Sequence, residues 1–215
     1  MRTMKKISLL LSMAFLSLSS CELVDKVSPD GKLGGEPSPM GEVGNTFSLG
    51  SIAGVADFSG EVTEFTDGIS TVKASITITD PQILNMAKSV AELNWNGNTA
   101  TVSKKYRITD EGIQNVYDEG NYTLVKYDGK VGDEYSIKVG GKKYTRTIDY
   151  KSTEDEYQYA FWNIKVIKVV ETGRPLIGVS KLEYLLNHKF GIVGFKVYFE
   201  DGSEKEVRFF SKNDV

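Results

Sequence analysis

The chain is predicted to be mainly β: an antiparallel curved sheet or β-sandwich with one amphipathic helix near residues 81–93, an α+β layout being the alternative. Three observations predict it. Val72, Ala74, Ile76 and Ile78 alternate with polar residues from Thr71 to Thr79, the period of two of a strand with one apolar and one wet face. Similar short segments recur towards the C-terminus, separated by turn pairs such as Gly140-Gly141 and Asp201-Gly202. Convincing helical spacing occurs once, at Ile83, Leu84, Ala87, Val90 and Ala91.

Taken in order, residues 1–20 read as a secretory leader. Arg2, Lys5 and Lys6 precede a run of twelve uncharged, mostly apolar residues from Ile7 to Leu18. That run is too short to span a bilayer, which takes about 20 apolar residues. Leu18-Ser19-Ser20-Cys21 resembles the bacterial lipobox, and Cys21 is the only cysteine of the 215 residues. The resemblance implies a signal peptide over residues 1–20 and a lipid-modified Cys21. The thiolate is the nucleophile such a reaction needs, and several acyl chains make a stable anchor. Residues 21–50 then read as the lipidated Cys and a flexible tether, because Pro29, Pro37 and Pro39 and six glycines break any period.

A single β-rich domain is expected over residues 51–215. Ser51–Phe58 and Glu61–Phe65 suggest a hairpin around Ser59-Gly60. Asp80 is a good N-cap and Pro81 suits the first helical position, so the helix should open there and end near Leu93. Further strands are expected at Thr99–Ile108, Gly112–Tyr117, Asn121–Tyr127, Glu134–Val139, Lys142–Tyr150, Tyr157–Val170, Val179–His188, Ile192–Glu200 and Glu204–Phe210.

Composition narrows the chemistry. One Cys excludes intramolecular disulfides and Cys-based zinc sites, and one His excludes a multi-His metal centre. Loss of residues 1–20 removes Arg2, Lys5 and Lys6 and no acid, which takes the formal net charge from −3 to −6. That balance argues against a nucleic-acid partner, which calls for a basic patch. No nucleophile elbow, zinc motif or phosphate loop is present, so neither an enzyme nor a cofactor is expected. The acidic pairs Asp110-Glu111, Asp118-Glu119 and Asp133-Glu134 lack the alternation of a calcium loop and read as solvated turns.

The candidate ligand-binding residues are aromatic or apolar. Tyr157, Tyr159 and Phe161 share one face of a strand, and such rows stack on rings or line a lipid cavity. Tyr184, Leu186 and His188 share the apolar face of another. The plain alternative for both rows is a core strand, with His188 bonded to a carbonyl or a Tyr hydroxyl. Trp95, in the turn cluster Asn94-Trp95-Asn96-Gly97-Asn98, is the candidate for an exposed aromatic contact, or else for a buried indole anchoring a turn.

Four segments carry a resemblance: Lys126-Tyr127-Asp128, Val131-Gly132-Asp133-Glu134-Tyr135, Lys151-Ser152-Thr153-Glu154-Asp155 and Asn187-His188-Lys189-Phe190-Gly191. With the lipobox and the Gly/Pro stretch, they resemble lipid-anchored envelope lipoproteins of Bacteroides-type bacteria. The resemblance implies a protein of the outer membrane, held through Cys21, and brings no established activity or site residue with it. The expected function is a non-catalytic binding module for a lipid or other hydrophobic ligand. The alternative is a structural or accessory subunit of an outer-membrane uptake or assembly complex.

Overall fold

The computed structural model describes residues 30–90, 92–174 and 176–212. The expected leader, Cys21 and the first part of the expected tether lie outside the described residues. The fold is mainly β, and of the layouts expected the curved antiparallel sheet is the one formed. Its strands are β1 (Thr46–Leu49), β2 (Val55–Thr66), β3 (Ile69–Ile78), β4 (Asn94–Asn96), β5 (Thr99–Thr109), β6 (Gly112–Tyr117), β7 (Gly120–Lys126), β8 (Glu134–Val139) and β9 (Lys142–Lys151). They continue with β10 (Tyr157–Tyr159), β11 (Trp162–Ile164), β12 (Ile167–Thr172), β13 (Val179–Asn187), β14 (Gly191–Phe199) and β15 (Glu204–Ser211).

The sheet runs β7-β6-β5-β3-β2-β1-β15-β14-β13-β12-β9-β8, with β4 beside β5. It is a meander joined in the middle by the first and last strands of the described residues, where Phe47 pairs with Ser211 and Leu49 with Phe209. The sheet curls until its two ends approach one another. There Arg146 of β9 reaches across to the Tyr122 carbonyl of β7 and to Asn115 of β6. Side chains thus close a nearly complete barrel where no strand ladder does, and closure protects edge strands from foreign pairing. Inward and outward residues alternate along the strands, as barrel geometry requires.

Several expected elements change. Ser59-Gly60 is no turn: β2 runs straight through it, held by Gly60 pairing with Phe47 on one side and Ala74 on the other. The turn lies at Asp67-Gly68, both at positive φ between the paired Thr66 and Ile69. That is the two-residue loop which Asp-Gly favours. The strand expected over Tyr157–Val170 is three pieces, β10 and β11 forming a separate hairpin that turns at Ala160 and Phe161.

The helix α1 (Pro81–Lys88) is shorter than expected. Asp80 caps it, its carboxylate accepting from the Ile83 N–H at 2.9 Å. It buries only Ala87 and does not form the core under the sheet. It lies across one end of the barrel, tied by Asp80 to Lys205 of β15, Gln82 to Asp201 of the β14–β15 turn, and Ser89 to the Ile177 N–H before β13.

The tether expectation is corrected over its described part. Residues 30–50 pack on the barrel. Asp30 bridges to Asn121 and accepts from the Thr123 N–H, and the buried Leu33 N–H donates to Gln114. A short 3-10 turn, Pro39–Gly41, then drives Met40 into the other end of the barrel. Met40 packs so close to Gly191 that a Cβ there would lie 2.6 Å from its methyl group, and Gly191 also sits at φ +68. Glycine and proline content signals irregular backbone, and irregular backbone here is docked by long-range hydrogen bonds rather than free.

Candidate functional site

The barrel interior divides into two flanks. On one, β6, β7, β8, β9, β12 and β13 turn Ile113, Tyr122, Leu124, Val125, Ile137, Ile148, Val169 and Leu186 into a solid core, each at most 2% exposed. Each such side chain contributes about 1.5–3 kcal/mol. A charged cluster is sealed beside it. Arg146 donates to Glu171 at 2.7 Å, and Arg174 bonds the other Glu171 oxygen. The Arg146 guanidinium lies 3.9 Å from the centre of the Tyr122 ring and 5.5 Å from that of Tyr184. Burial pushes the Glu171 carboxyl up, but the two arginines outweigh it and hold it below the ordinary carboxylate value. Arg174 continues outward to Glu92, and Glu92 to Lys104.

The opposite flank, formed by β1, β2, β3, β14 and β15, is hollow. A cavity of about 320 Å³ lies there. Phe47, Phe58, Phe195 and Phe209 form much of its wall, Val72, Ala74 and Tyr106 add to it, and Tyr184 forms its boundary with the charged cluster. Phe58 and Phe209 meet edge to face at 5.8 Å, and Phe195 lies 5.7 Å from Phe209. Small residues leave the space: Gly60 and Ala74 face one another across β2 and β3. Met40 and Ile113 of the packed region reach the same cavity. The four phenylalanines remain only half-buried although their strands turn them inward. The size is at the lower end of ligand cavities, about 300–1,000 Å³.

The residues singled out from the sequence do not assemble into one site. Tyr184 alone borders the apolar cavity. Leu186 is fully buried in the packed core. Tyr159 is buried on the outer face of the barrel, its ring 5.0 Å from Phe190 and 5.2 Å from Phe210, where the β10–β11 hairpin covers β13–β15. Tyr157 is half-buried there and donates to Glu206 at 3.1 Å; burial and then the Glu206 charge push its hydroxyl pKa up. Phe161 is 97% exposed at the hairpin tip, beside the exposed Trp162.

His188 is exposed rather than buried. A bulge between Leu185 and Leu186 ends the simple alternation, and β13 stops at Asn187. The Asn187 side chain accepts from the N–H groups of Lys189 and Phe190, which makes the turn that carries His188 outward. His188 borders an outer cleft with Tyr127, Asp128 and Lys151. The cleft's Lys151 is already spent on the Tyr127 and Gly129 carbonyls. Trp95 is half-buried in β4 rather than fully exposed, with the Lys88 ammonium 5.9 Å from its ring centre.

The cavity phenylalanines escaped the sequence reading because they belong to strands far apart in the chain. The available signal was Phe at inward positions opposite Gly60 and Ala74, visible only once register is known. Among the described residues no group of three or more His, Cys, Asp or Glu is placed to hold a metal ion, and no helix is long and apolar enough to cross a membrane. No family model, curated protein or solved structure matches the chain.

Proposed function

We propose that the chain is a non-catalytic binding module of the bacterial envelope, anchored through a lipid on Cys21 to the outer membrane, that holds a hydrophobic ligand inside its barrel. The observation that carries the reading is the phenylalanine-walled cavity. Apolar surface left uncovered inside a barrel forgoes roughly 25 cal/mol per Å² that a filled core would gain, and a ligand recovers it. The lipobox supports the location.

The test is native mass spectrometry of the full chain carrying Cys21→Ala, recovered from the bacterial envelope. An apolar molecule that stays with the folded protein and leaves on denaturation is the expected result. A protein that neither carries such a molecule nor takes up a single-chain amphiphile ends the reading. Separately, Cys21→Ala should move the protein from the membrane to the soluble fraction; retention in the membrane would overturn the anchor.

A second reading, an accessory subunit of an outer-membrane complex, is favoured by the exposed Phe161 and Trp162 on a hairpin outside the main sheet. Crosslinking in the native envelope that is lost on Phe161→Ser supports it; an unchanged crosslinking pattern counts against it.

A further inference from the structure

We propose that the cavity takes a single-chain amphiphile with an anionic head, its chain against the phenylalanines and its head at Tyr184 and Tyr106, beneath the buried arginines. This rests on the binding reading above. Tyr106 and Tyr184 line the cavity. Behind Tyr184 stands the charged cluster: its hydroxyl donates to Glu171 at 3.5 Å and its ring lies 5.5 Å from the Arg146 guanidinium. The cluster is not neutral. Arg146 and Arg174 share the one carboxylate of Glu171, and the outer members Glu92 and Lys104 cancel each other. One positive charge is left over, shared between Arg146, 3% exposed, and Arg174, whose side chain is 18% exposed. In such surroundings a charge acts on its neighbours far more strongly than in water. The Tyr106 hydroxyl is a donor suited to an oxyanion, and the Tyr184 hydroxyl becomes a second one when it turns from Glu171 to the head.

The rest of the cavity sets the tail. Its phenylalanine, Val72 and Ala74 walls present no charge. About 320 Å³ suits one alkyl chain and is small for a two-chain phospholipid. A cationic head would meet the excess positive charge and be repelled. A neutral head would bind by its tail alone.

The experiment compares dodecanoate, dodecanol and dodecyltrimethylammonium, each below its micellar concentration, by equilibrium dialysis against the full chain carrying Cys21→Ala. Dodecanoate should bind at least about tenfold more tightly than dodecanol, the size of one charge-assisted hydrogen bond. The cation should bind more weakly than dodecanol. Arg174→Gln should bring dodecanoate down towards dodecanol. Equal binding of dodecanoate and dodecanol overturns the head-group assignment and leaves the binding reading standing. Binding of none of the three overturns both. The comparison of head groups on the unaltered cavity needs no variant, so it decides even if Arg174→Gln fails to fold.

Discussion

The two flanks of the barrel are built from the same kind of strand and have opposite interiors. The β6–β9 and β12–β13 flank is filled to near-zero exposure and closes its seam with Arg146. The β1–β3 and β14–β15 flank sets large rings opposite glycine and alanine and stays hollow. The difference teaches that stability and space come from separate parts of one sheet. A solid flank supplies the cooperative core, so the other can leave apolar surface uncovered.

The largest way to break this contrast is Glu171→Gln. It leaves Arg146 buried without its counter-charge and should cost about 3–5 kcal/mol in denaturant unfolding. A loss below about 1 kcal/mol would mean that the cluster is not what seals the packed flank. Acid acts on the same group. Glu171 is held below the ordinary carboxylate value when folded. Its contribution is therefore complete above the unfolded pKa of about 4.3 and lost as pH falls through the lower folded value. Stability measured against pH should fall in that acid window in the wild type and show a shallower fall in Glu171→Gln.

Next comes a matched pair of truncations. Ile148→Ala, in the packed flank, should cost about 2–5 kcal/mol. Phe58→Ala removes a larger side chain from the hollow flank yet should cost less, since the ring is only half-buried. The reverse order, in paired thermal or urea melts, would show that the hollow flank is part of the load-carrying core. Asp80→Ala should cost about 0.5–2 kcal/mol as a lost helix cap. It also frees Lys205, so hydrogen exchange should quicken in α1 before it does in β13.

The smallest effect on stability sharpens the comparison most. Ala74→Leu adds bulk into the cavity and should change stability by less than about 1 kcal/mol, whereas Val125→Phe, in the solid flank, should cost about 1–3 kcal/mol. Ala74→Leu should nonetheless abolish uptake of dodecanoate. If uptake survives, the ligand lies elsewhere.

Much of the local structure was legible in the chain. The strand bounds from β5 to β9 and from β13 to β15 follow alternation and turn pairs to within a residue or two, because those signals are local. Asp80 and Pro81 mark the helix start for the same reason. The helix end was overestimated: Val90 and Ala91 continue the apolar spacing, but Ser89 turns its hydroxyl back to the Met86 carbonyl and closes the helix. His188 was misplaced because a single bulge reverses which face a strand residue occupies. Tyr157, Tyr159 and Phe161 were read as one row, although a turn at Ala160 and Phe161 splits it.

By itself, then, the sequence determined the β class, most strand limits and the helix cap, all matters of residues near one another in the chain. Only the tertiary structure decided that residues 30–50 dock on the barrel, that Met40 plugs one end, and that phenylalanines from four strands surround a void. Those outcomes depend on register and on sheet curvature, which pair residues as distant as Phe47 and Ser211. Apolar periodicity says that a face is buried; whether the facing strand fills the space or leaves it open is settled only where the two faces meet.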